Sequence, residues 1–322
     1  MSKTTVNRIA LFSILLLAGI FSACTAGQQA SKDKKGDKIV IGLSEPNLGW
    51  PYIAAFVREF KPIIDGMDNV EAIVLSADGN IEKQINDIND LIVEGVDIIL
   101  VCSLDGEAVI PALAKAHAAG IPVLAVSNMP GKDGEQYITG YSGPDDYEQG
   151  RIAAQIMVDA IGTSGNIIMI EGTAGQSTTL LRAQGWNDKM AGIAPGMKLL
   201  ASQPCDWDGA KEKAAMQAFV TRYGSQINGV FAQGSGASVA EAVRDAGLNA
   251  PVVCTGADVA TLEAIKAGYL YGTMQQSPYL DASQAIDLAI KIVGGEKLPA
   301  FRNIIPMPAV TAKNVKDIKP DY

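Results

Sequence analysis

The sequence predicts an α/β protein built from two doubly wound parallel sheets, and three observations support this fold class. Apolar runs of strand length alternate with stretches of helical spacing along almost the whole chain after residue 37. Glycines stand where the predicted helices end, at Gly95, Gly120, Gly247 and Gly268. One break in this rhythm, before residue 137, divides the pattern into two halves. Repetition of strand and helix produces parallel sheets that helices cover on both faces.

The predicted strands follow one another at regular intervals, and most are separated by 10–17 residues with helical spacing. Ile81, Ile85, Ile88 and Leu91 form one such apolar stripe. The ten predicted strands are Lys38–Ser44, Val70–Ala77, Asp97–Ser103, Pro122–Asn128, Tyr137–Ser142, Asn166–Gly172, Lys198–Pro204, Gly229–Gly234, Pro251–Gly256 and Tyr271–Gln276.

The break in the rhythm lies between the fourth and fifth predicted strands, where the connecting loop leaves no room for a helix. We expect the chain to cross from one domain to the other here. Ligands of doubly wound sheets bind beyond the carboxyl ends of the strands. The two halves are therefore expected to face each other across a ligand cleft.

The first 23 residues have the layout of a signal peptide. Lys3 and Arg8 precede an apolar run over residues 9–21, which is shorter than the roughly 20 residues of a membrane-spanning helix. Ser22-Ala23-Cys24 resembles the lipobox of bacterial lipoproteins, so we expect residues 1–23 to be removed and Cys24 to be lipidated. Cleavage and release without a lipid is the alternative. Residues 24–37 are small, polar and rich in lysine, which predicts a flexible tether.

The charge and the reactive residues exclude several classes of function. Removing residues 1–23 removes two cations and no acid, so the formal charge moves from −9 to −9 − 2 = −11. An acidic surface disfavours nucleic acid as a partner. His117 is the only histidine, and Cys102, Cys205 and Cys254 form no CxxC pair. We therefore expect no metal site, no cofactor and no histidine-based catalysis.

The segments that follow the predicted strands carry amides, hydroxyls, a few carboxylates and two tryptophans. Such side chains bond hydroxyl groups in both directions, and the tryptophans stack on the apolar face of a sugar ring. Asn and Asp at these positions also serve as helix caps. Gly234-Ser235-Gly236 resembles part of a dinucleotide fingerprint, but Val239 stands where the third glycine belongs. A nicotinamide-dependent oxidoreductase remains as a remote alternative.

Residues 38–322 resemble a type I periplasmic binding protein of the ribose and galactose cluster. The motifs that carry this resemblance are Leu200–Asp208, Val230–Gln233, Gly172–Trp186, Ile265–Gly268 and Thr273–Pro278, in that family's order and spacing. The resemblance implies two Rossmann-like lobes joined by a three-strand hinge, with the ligand cleft between them. Residues 38–144 and 277–303 would form the N-terminal lobe, and residues 145–276 and 304–322 the C-terminal lobe.

The resemblance also implies the ligand-binding residues. Ser127-Asn128 stands where ribose-type members carry Asp-Arg, and Gly234-Ser235 where they carry Asn-Asp, so the implied ligand includes other pentoses, polyols, inositols and furanoses. The candidate ligand-binding residues are Trp50, Tyr52, Asn80, Ser127, Asn128, Arg182, Trp207, Asp258 and Gln276.

The function implied by the resemblance is capture rather than catalysis. A solute-binding protein of this kind closes on a small neutral sugar or polyol and delivers it to the permease of an ABC importer. We expect a monomer that a lipid on Cys24 holds in the periplasm or on the outer face of the cytoplasmic membrane. A receptor that presents the bound molecule to a chemoreceptor or a sensor kinase is the alternative.

Overall fold

The computed structural model describes residues 38–322, in which strands and helices alternate. The strands are β1 Ile39–Glu45, β2 Val70–Ser76, β3 Ile98–Val101, β4 Val123–Val126, β5 Gly140–Gly143, β6 Ser164–Glu171, β7 Gly196–Pro204, β8 Gly229–Ala232, β9 Val252–Cys254, β10 Gly272–Met274, β11 Arg302–Ile304 and β12 Ala309–Thr311. The α-helices are α1 Pro51–Asp65, α2 Ile81–Glu94, α3 Ile110–Ala118, α4 Asp146–Ile161, α5 Ser177–Ile193, α6 Gly209–Tyr223, α7 Ala237–Asp245, α8 Val259–Lys266 and α9 Pro278–Val293.

The strands form two sheets of six, which confirms the predicted doubly wound α/β fold. The first sheet has the order β11-β5-β4-β3-β1-β2 and the second the order β12-β10-β9-β8-β6-β7. The five main strands of each sheet therefore share one order, and all their pairings are parallel. β11 joins the first sheet in parallel with β5, whereas β12 joins the second antiparallel to β10.

Each sheet is covered on both faces, as parallel sheets require. In the first sheet, Ile41 and Leu43 of β1 pack with Phe56 and Phe60 of α1 and with the apolar face of α9. The opposite face is buried against α2 and α3. The second sheet likewise separates two apolar clusters. This arrangement leaves the strand ends as the places where polar side chains collect.

The predicted helix ends and strand runs agree closely with the structure. Gly95, Gly120, Gly247 and Gly268 have φ angles of 64–82°, a left-handed conformation that glycine adopts without strain. The expectation of no helix before β5 was wrong, because a 3₁₀ helix occupies Lys132–Tyr137. A 3₁₀ helix completes a turn with three residues and so fits a short connection.

The chain passes between the two sheets at three places, and the first follows β5, so the expectation that the chain crosses in the loop before that strand was wrong. It leaves β5 for α4 at residues 143–146, returns from β10 to α9 at residues 274–278, and runs from β11 to β12 at residues 304–309. No helix within residues 38–322 is both long and apolar enough to span a membrane. The predicted signal peptide, Cys24 and the tether over residues 24–37 lie outside the described residues.

Candidate functional site

A cavity of about 390 Å³ lies at the carboxyl ends of strands from both sheets. This volume falls in the range of pockets for small ligands. The first sheet contributes the start of α1 and the residues after β4, and the second contributes the residues after β8, β9 and β10. Eight of the nine candidate residues line it: Trp50, Tyr52, Ser127, Asn128, Arg182, Trp207, Asp258 and Gln276.

The structure does not bring Asn80 to this cavity. Asn80 is the N-cap of α2, and its side chain accepts a hydrogen bond from the Lys83 backbone N–H at 3.0 Å. The neighbouring Gly79 lines a second cavity of about 450 Å³. The capping role that Asn commonly has at a helix start accounts for this residue.

Trp207 is held in a fixed position on the cavity wall. Its indole N–H donates to Gln176 Oε1 at 2.6 Å, and its backbone has a left-handed φ of 57°. A Cβ atom at Gly172 would overlap the ring at Cη2. Trp50 and Trp207 also line the second cavity, so the two tryptophans form part of the wall of both.

Arg182 lines the cavity but is only 5 % exposed, and it bonds to the residues that follow β8, β9 and β10 of the second sheet. Nη1 donates to the Gln233 carbonyl oxygen at 2.6 Å and to Thr255 Oγ1 at 3.0 Å, and Nη2 donates to Gln276 Oε1 at 3.2 Å. Nε donates to Gln149 Oε1 at 2.9 Å. Every nitrogen of the guanidinium therefore already has a protein acceptor. Arg182 fixes the cavity wall whether or not it also contacts a ligand.

Asp146 is the counter-charge of Arg182. Its Oδ1 lies 3.2 Å from Arg182 Nη2, and its Oδ2 accepts from Thr178 Oγ1 at 3.0 Å. Burial raises the pKa of Asp146 to about 6, although the nearby Arg182 charge lowers it. The single cation of the cavity wall is thus neutralised within the protein near neutral pH.

Asp281, at the start of α9, holds two predicted ligand-binding residues in place. Its Oδ2 accepts from Tyr52 Oη at 2.9 Å and from Ser127 Oγ at 2.8 Å, whereas its buried Oδ1 has no partner among the described residues. Burial raises the pKa of Asp281 to about 7. The pKa of Glu45 is also raised, first by burial and then by the charge of Asp281.

Asn128 connects the two halves of the molecule. Its Oδ1 lies in hydrogen-bond contact with Thr178 Oγ1 of α5, whose single proton is shared with Asp146 Oδ2, and its Nδ2 donates to the Ser103 carbonyl oxygen at 3.2 Å. The next residue adds a second link, because the Met129 backbone N–H donates to Ser177 Oγ at 2.9 Å. The residues after β4 thus bridge the first sheet to the start of α5.

Asp258 and Tyr322 form another part of the wall. Asp258 caps α8, accepting from the backbone N–H and the hydroxyl of Thr261 at 2.9 and 2.8 Å. Each carboxylate oxygen retains a lone pair for a ligand. The Tyr322 ring meets Tyr52 edge-on, with the ring centroids 6.2 Å apart. Asp321 accepts from the Gln276 backbone N–H at 3.1 Å and fixes this segment against the crossing at β10.

Sequence reasoning missed five residues that line or organise the cavity. They share no local pattern that would have identified them, since each reaches the cavity through tertiary contacts. Glu212 alone among them had a signal in the sequence, because it is a carboxylate in the first turn of α6, close to a predicted strand end. The five are Asp146, Gln176, Glu212, Asp281 and Tyr322.

The glycines of the partial dinucleotide fingerprint have packing causes. A Cβ atom at Gly236 would lie 2.6 Å from Cys254 Cβ, and one at Gly234 would lie 2.7 Å from Glu212 Oε1. A side chain at Gly236 would therefore clash with Cys254, and one at Gly234 would displace the Glu212 carboxylate, so both glycines have packing causes unrelated to phosphate binding.

Comparisons with known proteins agree on one family. The family of periplasmic binding protein domains matches residues 26–297. The xylitol-binding protein of Mycolicibacterium smegmatis is 30% identical over 91% of this chain and 82% of its own length. The ribose import binding protein of Bacillus subtilis is 27% identical over 92% of this chain and 95% of its own. A Mycobacterium smegmatis structure in complex with β-D-fucofuranose superposes with a TM-score of 0.79 at 26% identity, covering 87% of this chain and 93% of that one.

The buried Asp281 is expected to make stability depend on pH. The pKa of an Asp in an unfolded chain is about 3.9. Between that pH and about 7, Asp281 therefore holds a proton in the folded protein that it lacks in the unfolded chain. This contribution to stability is complete below pH ~4 and is lost as the pH rises toward 7, at roughly 1.4 kcal/mol per pH unit. Asp281→Asn mimics the protonated acid, so urea unfolding between pH 4.5 and 7.5 should show a smaller loss of stability in this variant than in the unsubstituted protein.

Asp287→Asn is the matched control, because its carboxylate lies on the exposed side of the same helix and pairs with Lys291 at 2.6 Å. Asp146, Glu212 and Glu45 also have raised pKa values, so the difference between the two Asn variants reports Asp281 together with the effect of its charge on Glu45. Identical pH profiles in both variants would refute this account of Asp281.

Gly172→Ala is expected to displace Trp207, because the added methyl group would occupy the position of the ring. Overpacking of this kind costs about 1–3 kcal/mol of unfolding free energy. Gly192→Ala is the control, since nothing lies within 4 Å of a Cβ atom there. Urea unfolding should separate the two variants; if Gly172→Ala were as stable as Gly192→Ala, the close contact would be disproved.

Proposed function

Because the chain belongs to the periplasmic binding protein family, we propose that it captures a small sugar or polyol in the cavity between its two sheets and delivers it to an ABC-type importer. The observation that best supports this proposal is the cavity of about 390 Å³ that both sheets line, in which Trp50, Tyr52 and Trp207 lie beside amides and carboxylates. Aromatic faces cover the C–H surface of a sugar, and the polar groups pair its hydroxyls.

The relatives support a polyhydroxylated ligand. The two curated relatives carry the names xylitol-binding and ribose import binding protein, and the Mycobacterium smegmatis structure holds β-D-fucofuranose. Asp258, Gln276 and Trp207 are the residues that we assign to such a ligand, with Ser127 and Asn128 completing the wall. Asn80 is left out of this assignment because it caps α2 outside the cavity.

Hinge closure is the mechanism that the connections support. We assign residues 38–144 and 277–303 to one lobe and residues 145–276 and 304–322 to the other. Asn128 bonds to Thr178, and Met129 bonds to Ser177, across the division. A ligand that touches both lobes stabilises the arrangement in which these contacts form. No step of capture and release requires a covalent bond to change.

The finer localisation follows from the N-terminal residues. We propose that Cys24 carries a lipid, which holds a monomer in the periplasm or on the outer face of the cytoplasmic membrane beside the permease. Metabolic labelling with a fatty acid should mark the protein, and Cys24→Ala should abolish the label. Cys205→Ala is the control cysteine variant. A label that persists in Cys24→Ala would contradict lipidation at this residue.

A thermal-unfolding panel tests the proposed function. The purified protein is heated with aldoses, ketoses, polyols, inositols and NADH. A ligand that binds only the folded state, at 100 times its dissociation constant, adds roughly 2.7 kcal/mol, which raises the melting temperature visibly. We expect one sugar or polyol to produce this shift and Trp207→Ala to abolish it. Tyr279→Ala, an aromatic truncation on the exposed side of α9, should retain it.

Other outcomes of the panel favour other functions. A shift with NADH alone would favour the oxidoreductase alternative. The receptor alternative predicts the same sugar shift but a different cellular role, so uptake of the labelled sugar decides between them. Loss of uptake in a strain lacking this protein supports import, whereas normal uptake with lost chemotaxis or lost gene induction supports sensing.

A further inference from the structure

Glu212 is a buried carboxylate on the cavity wall that pairs with no cation among residues 38–322. It lies in the first turn of α6 and is 3 % exposed. The two lysines beside it in the helix pair with other acids, Lys211 with Asp206 at 2.8 Å and Lys213 with Glu241 at 3.0 Å. Arg182, the cation of the cavity wall, is paired with Asp146.

The carboxylate of Glu212 is only half satisfied by hydrogen bonds. Its Oε2 accepts from Ser238 Oγ at 3.3 Å, which is a long bond. Its Oε1 accepts no hydrogen bond from any residue within 38–322. A buried carboxylate with a single long hydrogen bond is costly, because that bond replaces little of the hydration that the group has lost. Burial accordingly raises the pKa of Glu212 to about 7.

Glu212 fills the space that a side chain at residue 234 would otherwise fill. A Cβ atom on Gly234 would lie 2.7 Å from Glu212 Oε1 and 3.7 Å from Trp207 Cε3. Gly234 and Glu212 both line the cavity. The absence of a side chain at 234 therefore gives the carboxylate access to the cavity directly beside the tryptophan ring.

We propose that Glu212 is a specificity-determining ligand contact, which selects a ligand that places a hydrogen-bond donor beside Trp207. The donor is a hydroxyl or an ammonium group, since both donate to a carboxylate in the same geometry. This inference rests on the proposed function and deepens it by naming the group that the ligand presents at this wall.

A second residue beside Trp207 supports a ligand at this wall. Gln176 is completely buried and lines the cavity, and its Nε2 has no hydrogen-bond partner among the described residues. The orientation of its amide is fixed, because the indole N–H of Trp207 only donates and so must face Oε1. The wall around Trp207 thus contains an unused acceptor in Glu212 and an unused donor in Gln176. A hydroxyl group can pair with either.

Binding measurements on Glu212 variants test the proposal. Calorimetric titration would compare the unsubstituted protein, Glu212→Gln and Glu212→Ala with neutral sugars, polyols and their amino derivatives. We expect both variants to bind the preferred ligand roughly 10- to 100-fold more weakly, the effect of losing a hydrogen bond to a charged group. Glu263→Gln, an exposed acid on α8 that pairs with Lys266, should bind within twofold of the unsubstituted protein.

The comparison of amino sugars with their neutral analogues identifies the donor group of the ligand. If an amino sugar binds more tightly than its neutral analogue, and Glu212→Gln removes that preference, the donor is an ammonium group. If the neutral compound binds as tightly or more tightly and Glu212→Gln weakens it, the donor is a hydroxyl. Either result supports the contact.

A paired substitution tests the geometry. Gly234→Asn should weaken binding in the unsubstituted background, where its side chain meets the carboxylate, and should cause no further loss in the Glu212→Ala background. Circular dichroism confirms that each variant is folded, and Glu212→Gln, which keeps the shape of the side chain, decides the matter should Glu212→Ala fail to fold.

Two failures are distinguishable. If the unsubstituted protein binds a sugar or polyol and Glu212→Gln binds it within twofold, the role of Glu212 is refuted and the proposed function stands. If the unsubstituted protein binds no member of the panel, the proposed function fails, and the inference about Glu212 fails with it.

Discussion

The arrangement of the cavity depends on one buried guanidinium. Arg182, from α5, bonds to the Gln233 carbonyl oxygen after β8, to Thr255 after β9 and to Gln276 after β10, at 2.6, 3.0 and 3.2 Å. Asp146, at the start of α4, neutralises it at 3.2 Å. Bonds from an ionised donor are roughly twice as strong as neutral ones. One side chain therefore fixes three neighbouring strand ends and the first crossing between the sheets, which are the elements that shape the second-sheet wall of the cavity.

Buried polar groups on the cavity wall and in the layer behind it have no partner within the described residues. Gln176 Nε2, Asp281 Oδ1 and Glu45 Oε2 are buried without a hydrogen bond. Trp207 and its neighbour Asp206 hold left-handed backbone angles of 57° and 55°, which cost side-chain-bearing residues energy. Such unsatisfied and strained groups cluster at sites whose interactions a ligand completes. The four apolar clusters that cover the sheets hold the fold around a site that is not itself optimised for stability.

Much of the fold could be predicted from the sequence, because each element carries a local signal. The alternation of apolar runs with stretches of helical spacing predicted ten strands and the helices between them, and glycines such as Gly95 predicted where helices end. Trp207, between two aspartates after a strand, was predicted for the site by resemblance, and the structure places it on the cavity wall. Asp281 could not be found in this way, since only the tertiary fold brings it beside Tyr52, and Glu212 had no signal beyond its place in the first helical turn after a strand end. Local position also misled for Asn80, where a helix cap and a ligand contact look alike in sequence.

The central claim is that a small sugar or polyol binds in the cavity that Arg182 organises between the two sheets. A crystal structure of the protein with the ligand from the binding panel tests this claim most directly. We predict ligand density inside the cavity of about 390 Å³, against the Trp207 ring, with the bonds from Arg182 to Gln233 and Thr255 retained. Ligand density elsewhere on the molecule, with this cavity holding only water, would contradict the account.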